Sequence, residues 1–186
     1  MTAYLLRIIE GAKAKQPPSR MTTRVIAIDG AGGAGKSSLA DRLADELGGV
    51  PIVRTDDFAS WDNPLNWWPR LVEEVLKPLA RNEAIRYRRS NWERKQQEKW
   101  GEVTPSGFVI LEGVSASREA FRPFLTYSIW IETPRYLRLR RGLERDGDEA
   151  RAQWEEWMAE EDDYVDRERP QDNVDLILPG DRDLWS

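Results

Sequence analysis

The chain of 186 residues contains no cysteine and no histidine. Without cysteine there are no disulfides, no thiolate zinc sites and no cysteine nucleophile. Without histidine, serine–histidine triads, paired-histidine zinc sites and imidazole general bases are excluded together. Acid–base chemistry must then run on Asp, Glu, Lys or Tyr, and any metal must be a hard, oxygen-ligated cation such as Mg²⁺. Long apolar runs are missing too. None exceeds four residues, as in Phe108–Leu111, far short of the roughly 20 that cross a bilayer. Met1–Glu10 has neither the apolar length nor the cleavage site of a secretory leader, so a cytoplasmic location without a membrane partner is expected. Charge of one sign is also lacking. The 28 basic and 33 acidic residues leave a net charge of −5, which argues against self-repelling disorder and does not favour a nucleic-acid partner. Length and apolar content suit one globular domain.

Along the chain, residues 1–20 read as an appendage to a domain spanning 21–186. Tyr4, Leu5, Ile8 and Ile9 follow helical spacing, a Lys/Pro-rich linker succeeds them, and Met21 offers an alternative start. Val25–Ile28 is a short apolar run suited to a strand covered on both faces. Leu39, Leu43 and Leu47, spaced by four, give an amphipathic helix that Gly48-Gly49 stops. Further strands are expected at Ile52–Arg54, Phe108–Glu112, Tyr127–Ile131 and Val174–Leu178. Helices are expected at Pro69–Arg81, Trp92–Lys99, Pro134–Arg145 and Ala150–Asp166. Strands alternating with helices predict an α/β fold of three layers, a mostly parallel five-stranded sheet with helices on both faces.

Between the first strand and the next helix lies Gly30-Ala31-Gly32-Gly33-Ala34-Gly35-Lys36-Ser37, a complete GxxxxGK[ST] phosphate-loop (Walker A) motif. Its glycines let successive N–H groups converge on one anion, and the helix N-terminus adds its dipole. Lys36 is placed to reach the outer phosphates and the Ser37 hydroxyl to ligate Mg²⁺. The strand before and the helix after are the context that gives the motif its meaning. A nucleoside triphosphate is therefore expected as ligand, through Gly30, Gly32, Gly33, Ala34, Gly35, Lys36, Ser37 and Ser38.

No [NT]KxD base-reading motif of a GTPase occurs, and a protein kinase's catalytic loop needs a histidine. At about 100° per residue, Arg135, Arg138, Arg141 and Arg145 fall within a stripe roughly 120° wide. Tyr136, Leu139 and Leu143 form a separate apolar stripe expected to pack on the domain. Guanidinium forks suit phosphoryl oxygens, although the same stripe could equally pair with the acids of Glu155–Asp163.

Four segments together resemble the uridine kinase-like P-loop kinases: Gly30–Ser38, Thr55-Asp56-Asp57-Phe58, Val109–Gly113, and Arg138–Arg141 with Arg145-Asp146. The resemblance spans roughly residues 24–180. It implies a helical lid over the phosphates, ATP and Mg²⁺ as cofactors, and phosphoryl transfer to a hydroxyl of a small molecule, most simply a nucleoside. It implies Asp56 as the base on the acceptor hydroxyl, with Asp57 the other candidate. Mg²⁺ would fall to Ser37, Glu112 and Asp56. Arg138 would bind the nucleotide, and Lys36, Arg141 and Arg145 would act on the transferring group. The family's Tyr-Asp pair is replaced by Ser90-Asn91, and its acceptor-pocket histidine is absent.

For the acceptor, Asp57, Trp61, Tyr87, Asn91 and Trp92 are the candidate contacts. Seven tryptophans outside the expected strands (Trp61, Trp67, Trp68, Trp92, Trp100, Trp154 and Trp157) could line a planar-ligand pocket or simply pack the helices. Residues 81–99 carry a local basic excess that would suit an anionic acceptor. A kinase of another metabolite or of a nucleoside monophosphate, and a non-catalytic nucleotide-binding switch, remain the rival readings. Oligomeric state, including a homo-oligomer, is left open.

Overall fold

The computed structural model describes residues 2–18, 20–60, 63, 65–90 and 99–181. Seven strands form among them: β1 (Arg24–Asp29), β2 (Ile52–Arg54), β3 (Ile85–Arg88), β4 (Trp100–Val103), β5 (Phe108–Glu112), β6 (Tyr127–Glu132) and β7 (Leu176–Pro179). Five of them make one sheet in the order β2-β5-β1-β6-β7, every pairing parallel. The strand order reverses around β1, so a crevice opens at its carboxyl end, where ligands of open α/β sheets bind.

Alternation along the strands sorts the two faces. Ile26 and Ile28 of β1 and Ile110 of β5 point to one side, where helices α1 (Ala3–Ala14) and α2 (Lys36–Glu46) cover them. Leu39 and Leu43 of α2 are fully buried there, and burying a leucine in this way contributes about 1.5–3 kcal/mol. Val25, Ala27, Val109 and Leu111 point to the other side, into a core shared with Leu71, Val75, Leu76 and Leu79. Those four lie on α3 (Trp68–Leu71), a π-helical turn (Val72–Leu76) and α4 (Lys77–Ala80) in direct succession. Helices α5 (Arg135–Asp146) and α6 (Arg151–Glu168) complete the fold over the crevice.

Helix α1 is docked on the domain. Leu5, Ile8, Ile9 and Ala12 are buried in the same cluster as the sheet residues Ile26, Tyr127 and Ile129. Gly11 lies so close to Tyr127 that a Cβ there would stand 2.8 Å from its ring. The last strand begins at Leu176 rather than Val174. The helix expected at Trp92–Lys99 falls almost wholly on residues outside those described. On either side of it β3 and β4 pair antiparallel, placing Ile85, Tyr87, Gly101 and Val103 on the buried side. This ribbon was not anticipated, although the Ile85-x-Tyr87 alternation between arginines carries its two-residue period.

The orientation of α5 corrects an expectation. Tyr136 is 71% exposed, and Leu139 and Leu143 are only partly covered. Leu137, Arg138 and Gly142 are the buried positions. Of the arginine stripe, Arg138 is buried and Arg141 half-buried, while Arg135 and Arg145 stay exposed. Carboxylates of α6 answer two of the four: Arg135 pairs with Asp162, and Arg138 with Glu161.

Candidate active site

The loop that leaves β1 turns on left-handed glycines. Gly33 has φ +75°, and a Cβ on it would stand 2.6 Å from the carbonyl oxygen of Arg138, so only glycine fits both constraints. Gly35, at φ +100°, caps α2. Lys36 is buried and its Nζ donates to the Ala31 carbonyl at 2.9 Å. Gly32, Gly33, Gly35, Lys36, Ser37 and Ser38 line a cavity of about 350 Å³. Gly30 and Ala34, expected as nucleotide contacts, do not line it. The Ala34 methyl is buried in the core and its N–H is taken by the Ala31 carbonyl.

Two buried carboxylates brace this loop. Asp29 Oδ1 accepts from the N–H groups of Gly30 (2.7 Å) and Ser115 (2.9 Å). Its Oδ2 accepts from Ser117 N (2.9 Å), Ser117 Oγ (2.6 Å) and the Tyr164 hydroxyl (2.8 Å). One side chain thus joins the loop, the turn after β5 and α6. Burial pushes its carboxyl above the ordinary range against these hydrogen bonds. The second carboxylate is Glu161, which accepts from the Gly32 N–H at 2.9 Å and from Arg138 Nη1 at 3.3 Å. Burial raises this carboxyl also, with Lys36, the Gly32 N–H and Arg138 opposing the shift. Neither acid was singled out by sequence. The signal for Asp29 is its place between an apolar strand and the glycine loop, whereas Glu161 is one acid among many on α6.

Arg138 is consequently corrected. It was expected to bind nucleotide, yet it is buried, pairs with Glu161, donates through Nε to the Thr133 carbonyl at 3.2 Å, and does not line the cavity. Arg141 and Arg145 do line it. Arg141 donates to the Gly33 carbonyl at 3.3 Å. Arg145 forks onto Asp146 with two bonds of 2.8 Å and lies 5.5 Å above the Trp154 ring. The Trp154 indole N–H donates to the same carboxylate at 2.9 Å. Trp154 packs on Gly142, where a Cβ would stand 2.4 Å from the indole.

At the end of β5, Glu112 is 4% exposed and accepts from the Ser37 hydroxyl at 3.2 Å. On its other side Arg54 Nη1 donates to it at 2.6 Å. Among the described residues no group of three or more carboxylates could hold a metal ion unaided. The Ser37 and Glu112 oxygens, adjacent at the loop, suit a hard cation whose remaining ligands come from phosphate and water.

The adjacent aspartates diverge. Asp56 is exposed and lines the cavity. Asp57 turns away. Its Oδ2 accepts from the Tyr87 hydroxyl at 2.9 Å, and Arg89 Nε lies 3.3 Å from the same oxygen. Tyr87 is 1% exposed and stacks on Phe58 at 5.0 Å between centroids. Burial, with the Asp57 carboxylate beside it, pushes the phenol upward, so it stays a donor. Asp57 and Tyr87, expected as acceptor contacts, thus bond to each other and do not line the cavity. Trp61, Asn91 and Trp92 lie outside the described residues. Of the other tryptophans, Trp67, Trp154 and Trp157 line the cavity. Trp68 and Trp100 instead hold Arg118 and Arg86 over their rings. Within the basic segment Arg81 pairs with Glu83, Arg86 with Glu102 and Arg89 with Asp57, while Arg94 and Lys95 lie outside the described residues.

None of the family models matches the chain, and none of the curated proteins does. Solved structures do. A candidate uridine kinase from Bacillus stearothermophilus superposes with a TM-score of 0.68 at 19% identity, over 95% of this chain and 100% of that one. A candidate fructose transport system kinase from a Silicibacter species gives 0.65 at 21% identity, over 96% and 100%. The chain shares the fold of these two structures. Among the described residues no helix is long and apolar enough to cross a membrane.

Proposed function

We propose that the chain is a phosphotransferase that moves the γ-phosphoryl group of Mg-ATP to a hydroxyl of a small, unphosphorylated acceptor, a nucleoside being the first candidate. The observation that carries this reading is the company kept by Asp56. It shares one cavity with Lys36, Ser37, Glu112, Arg141 and Arg145, while its neighbour Asp57 is spent on Tyr87 and Arg89. A carboxylate open to the cavity can take the proton of an acceptor hydroxyl. The acceptor oxygen then bonds to the γ-phosphorus as the bond to the β–γ bridging oxygen breaks, and ADP leaves. Lys36 and the loop N–H groups hold the phosphates, and Arg141 and Arg145 supply guanidinium charge beside them. Ser37 and Glu112 would hold Mg²⁺, which supplies charge neutralisation to the nucleotide phosphates.

For the acceptor, the indoles of Trp67, Trp154 and Trp157 offer planar apolar walls that suit a nucleobase. A switch role draws no support from α1, whose apolar side is covered.

A thermal-shift screen with Mg-ATP and a panel of nucleosides, nucleoside monophosphates and polyols tests this, each hit being followed by ADP release. Ligand at 100 times its dissociation constant adds about 2.7 kcal/mol, a readily measured midpoint shift. A nucleoside that both stabilises the protein and drives ADP release is the expected result. Stabilisation by Mg-ATP without acceptor-dependent ADP release across the panel would sink the nucleoside assignment.

A further inference from the structure

The parallel register sets Arg54, the last residue of β2, directly beside Glu112, the last residue of β5. Its guanidinium spans two carboxylates. Nη1 donates to Glu112 Oε2 and Nη2 to Asp41 Oδ1, each at 2.6 Å. Asp41 stands one helical turn beyond Ser37 on α2, so it shares a face with the Ser37 hydroxyl. Ser37 in turn donates to the other oxygen of Glu112 at 3.2 Å. Without the arginine, this corner would present two carboxylates and a hydroxyl to one small volume, and such an oxygen-rich set attracts divalent cations. With it, one cationic fork fills the space between the acids, and a second cation there would meet its repulsion.

We infer that Arg54 is a positioning residue that takes the place of a resident cation: it holds Glu112 toward Ser37 and keeps the corner metal-free until a metal arrives with its nucleotide. This rests on the reading of the loop as a Mg-nucleotide site. Asp41 is the tether, because its bond to Nη2 fixes the plane of the fork. The salt bridge is therefore more than a surface pair; it decides whether the cation enters alone or as part of a nucleotide complex.

The test is a Mn²⁺ titration followed by electron paramagnetic resonance, on full-length protein without nucleotide. Wild type is expected to leave the free-ion signal essentially unchanged. Arg54→Gln is expected to bind one Mn²⁺ at least about tenfold more tightly, because the cation no longer meets the repulsion of the guanidinium charge. Arg54→Gln with Asp41→Asn is expected to lose that gain, which a purely structural role for Arg54 would not produce. Circular dichroism and metal-free ATP affinity report whether each variant is folded. If Arg54→Gln fails to fold, Arg54→Lys replaces it, since an ammonium cannot span both acids and should give a partial gain. The inference is overturned if wild type binds Mn²⁺ as tightly as the variants, or if no folded Arg54 variant gains affinity. Failure of wild type to bind Mg-ATP would instead remove the phosphotransferase reading, while the nucleotide-free titrations still report on Arg54 alone.

Discussion

The two ends of the cavity are built differently. At the phosphate end the working groups belong largely to the backbone, and the side chains behind them are buried acids whose oxygens accept from loop N–H groups: Asp29 with Gly30, Ser115 and Ser117, Glu161 with Gly32. At the end proposed to take the acceptor, the lining side chains come from separate elements: Asp56 after β2, Trp67 before α3, and Trp154 and Trp157 on α6. The first construction fixes a shape that any nucleoside triphosphate shares. The second can be revised one residue at a time without disturbing the loop. On the proposed function, selectivity for the acceptor would reside in these side chains.

Asp56→Asn should break this contrast at its most sensitive point. Acceptor-dependent ADP release is expected to fall about 10²–10⁴-fold, the usual contribution of a positioned base, with the Mg-ATP thermal shift retained. Asp57→Asn is expected to leave turnover near wild type, and an equal loss in both variants would erase the distinction between the two aspartates. At the phosphate end the comparable cost is in stability. Asp29→Ala strands several buried N–H groups, each worth about 1–3 kcal/mol, so urea unfolding should show a loss of about 3 kcal/mol or more.

The same carboxyl gives a pH signature. Burial raises the folded-state pKa of Asp29, and of Glu161, above the unfolded value of about 4. The folded chain then keeps protons that the unfolded chain releases. This stabilisation is fully present below pH 4 and is lost as pH rises through the folded pKa. Urea midpoints measured across that window should decline with pH in the wild type and less steeply in Asp29→Asn. Gly142→Ala should be milder, about 1–3 kcal/mol from overpacking against Trp154, visible as a shift in tryptophan emission. Tyr136→Ser on the outward side of α5 should move stability by no more than about 0.5 kcal/mol; a larger loss would mean that this face is packed after all.

Much of the phosphate end was legible in sequence because its chemistry is written in consecutive residues. A strand, a glycine loop and a helix follow one another, and the backbone geometry follows from glycine itself. The acceptor end was less so, because its pairings are made across the fold. Asp56 and Asp57 carry the same chemistry and differ only in which way a short turn points them. Tyr87 was a candidate acceptor contact, but its hydroxyl donates to Asp57, and the absence of a side chain at Gly101 leaves room for its ring. The arginine stripe of α5 was read from its period with two outcomes open, phosphates or the acids of Glu155–Asp163, and Arg135 and Arg138 take the acids. Helical periodicity shows which residues share a face, whereas the partner that Arg135 and Arg138 each meet is set by α6.

Helix α1 bears on where translation of this chain could profitably begin. Met21 is itself buried in the core, so a product initiated there would keep its first residue but lose Leu5, Ile8, Ile9 and Ala12. The cluster that includes Tyr127 would then lose part of its cover and expose apolar surface, the kind that drives association or precipitation. The shorter reading frame would encode every residue of the phosphate loop and still yield a chain prone to leave solution.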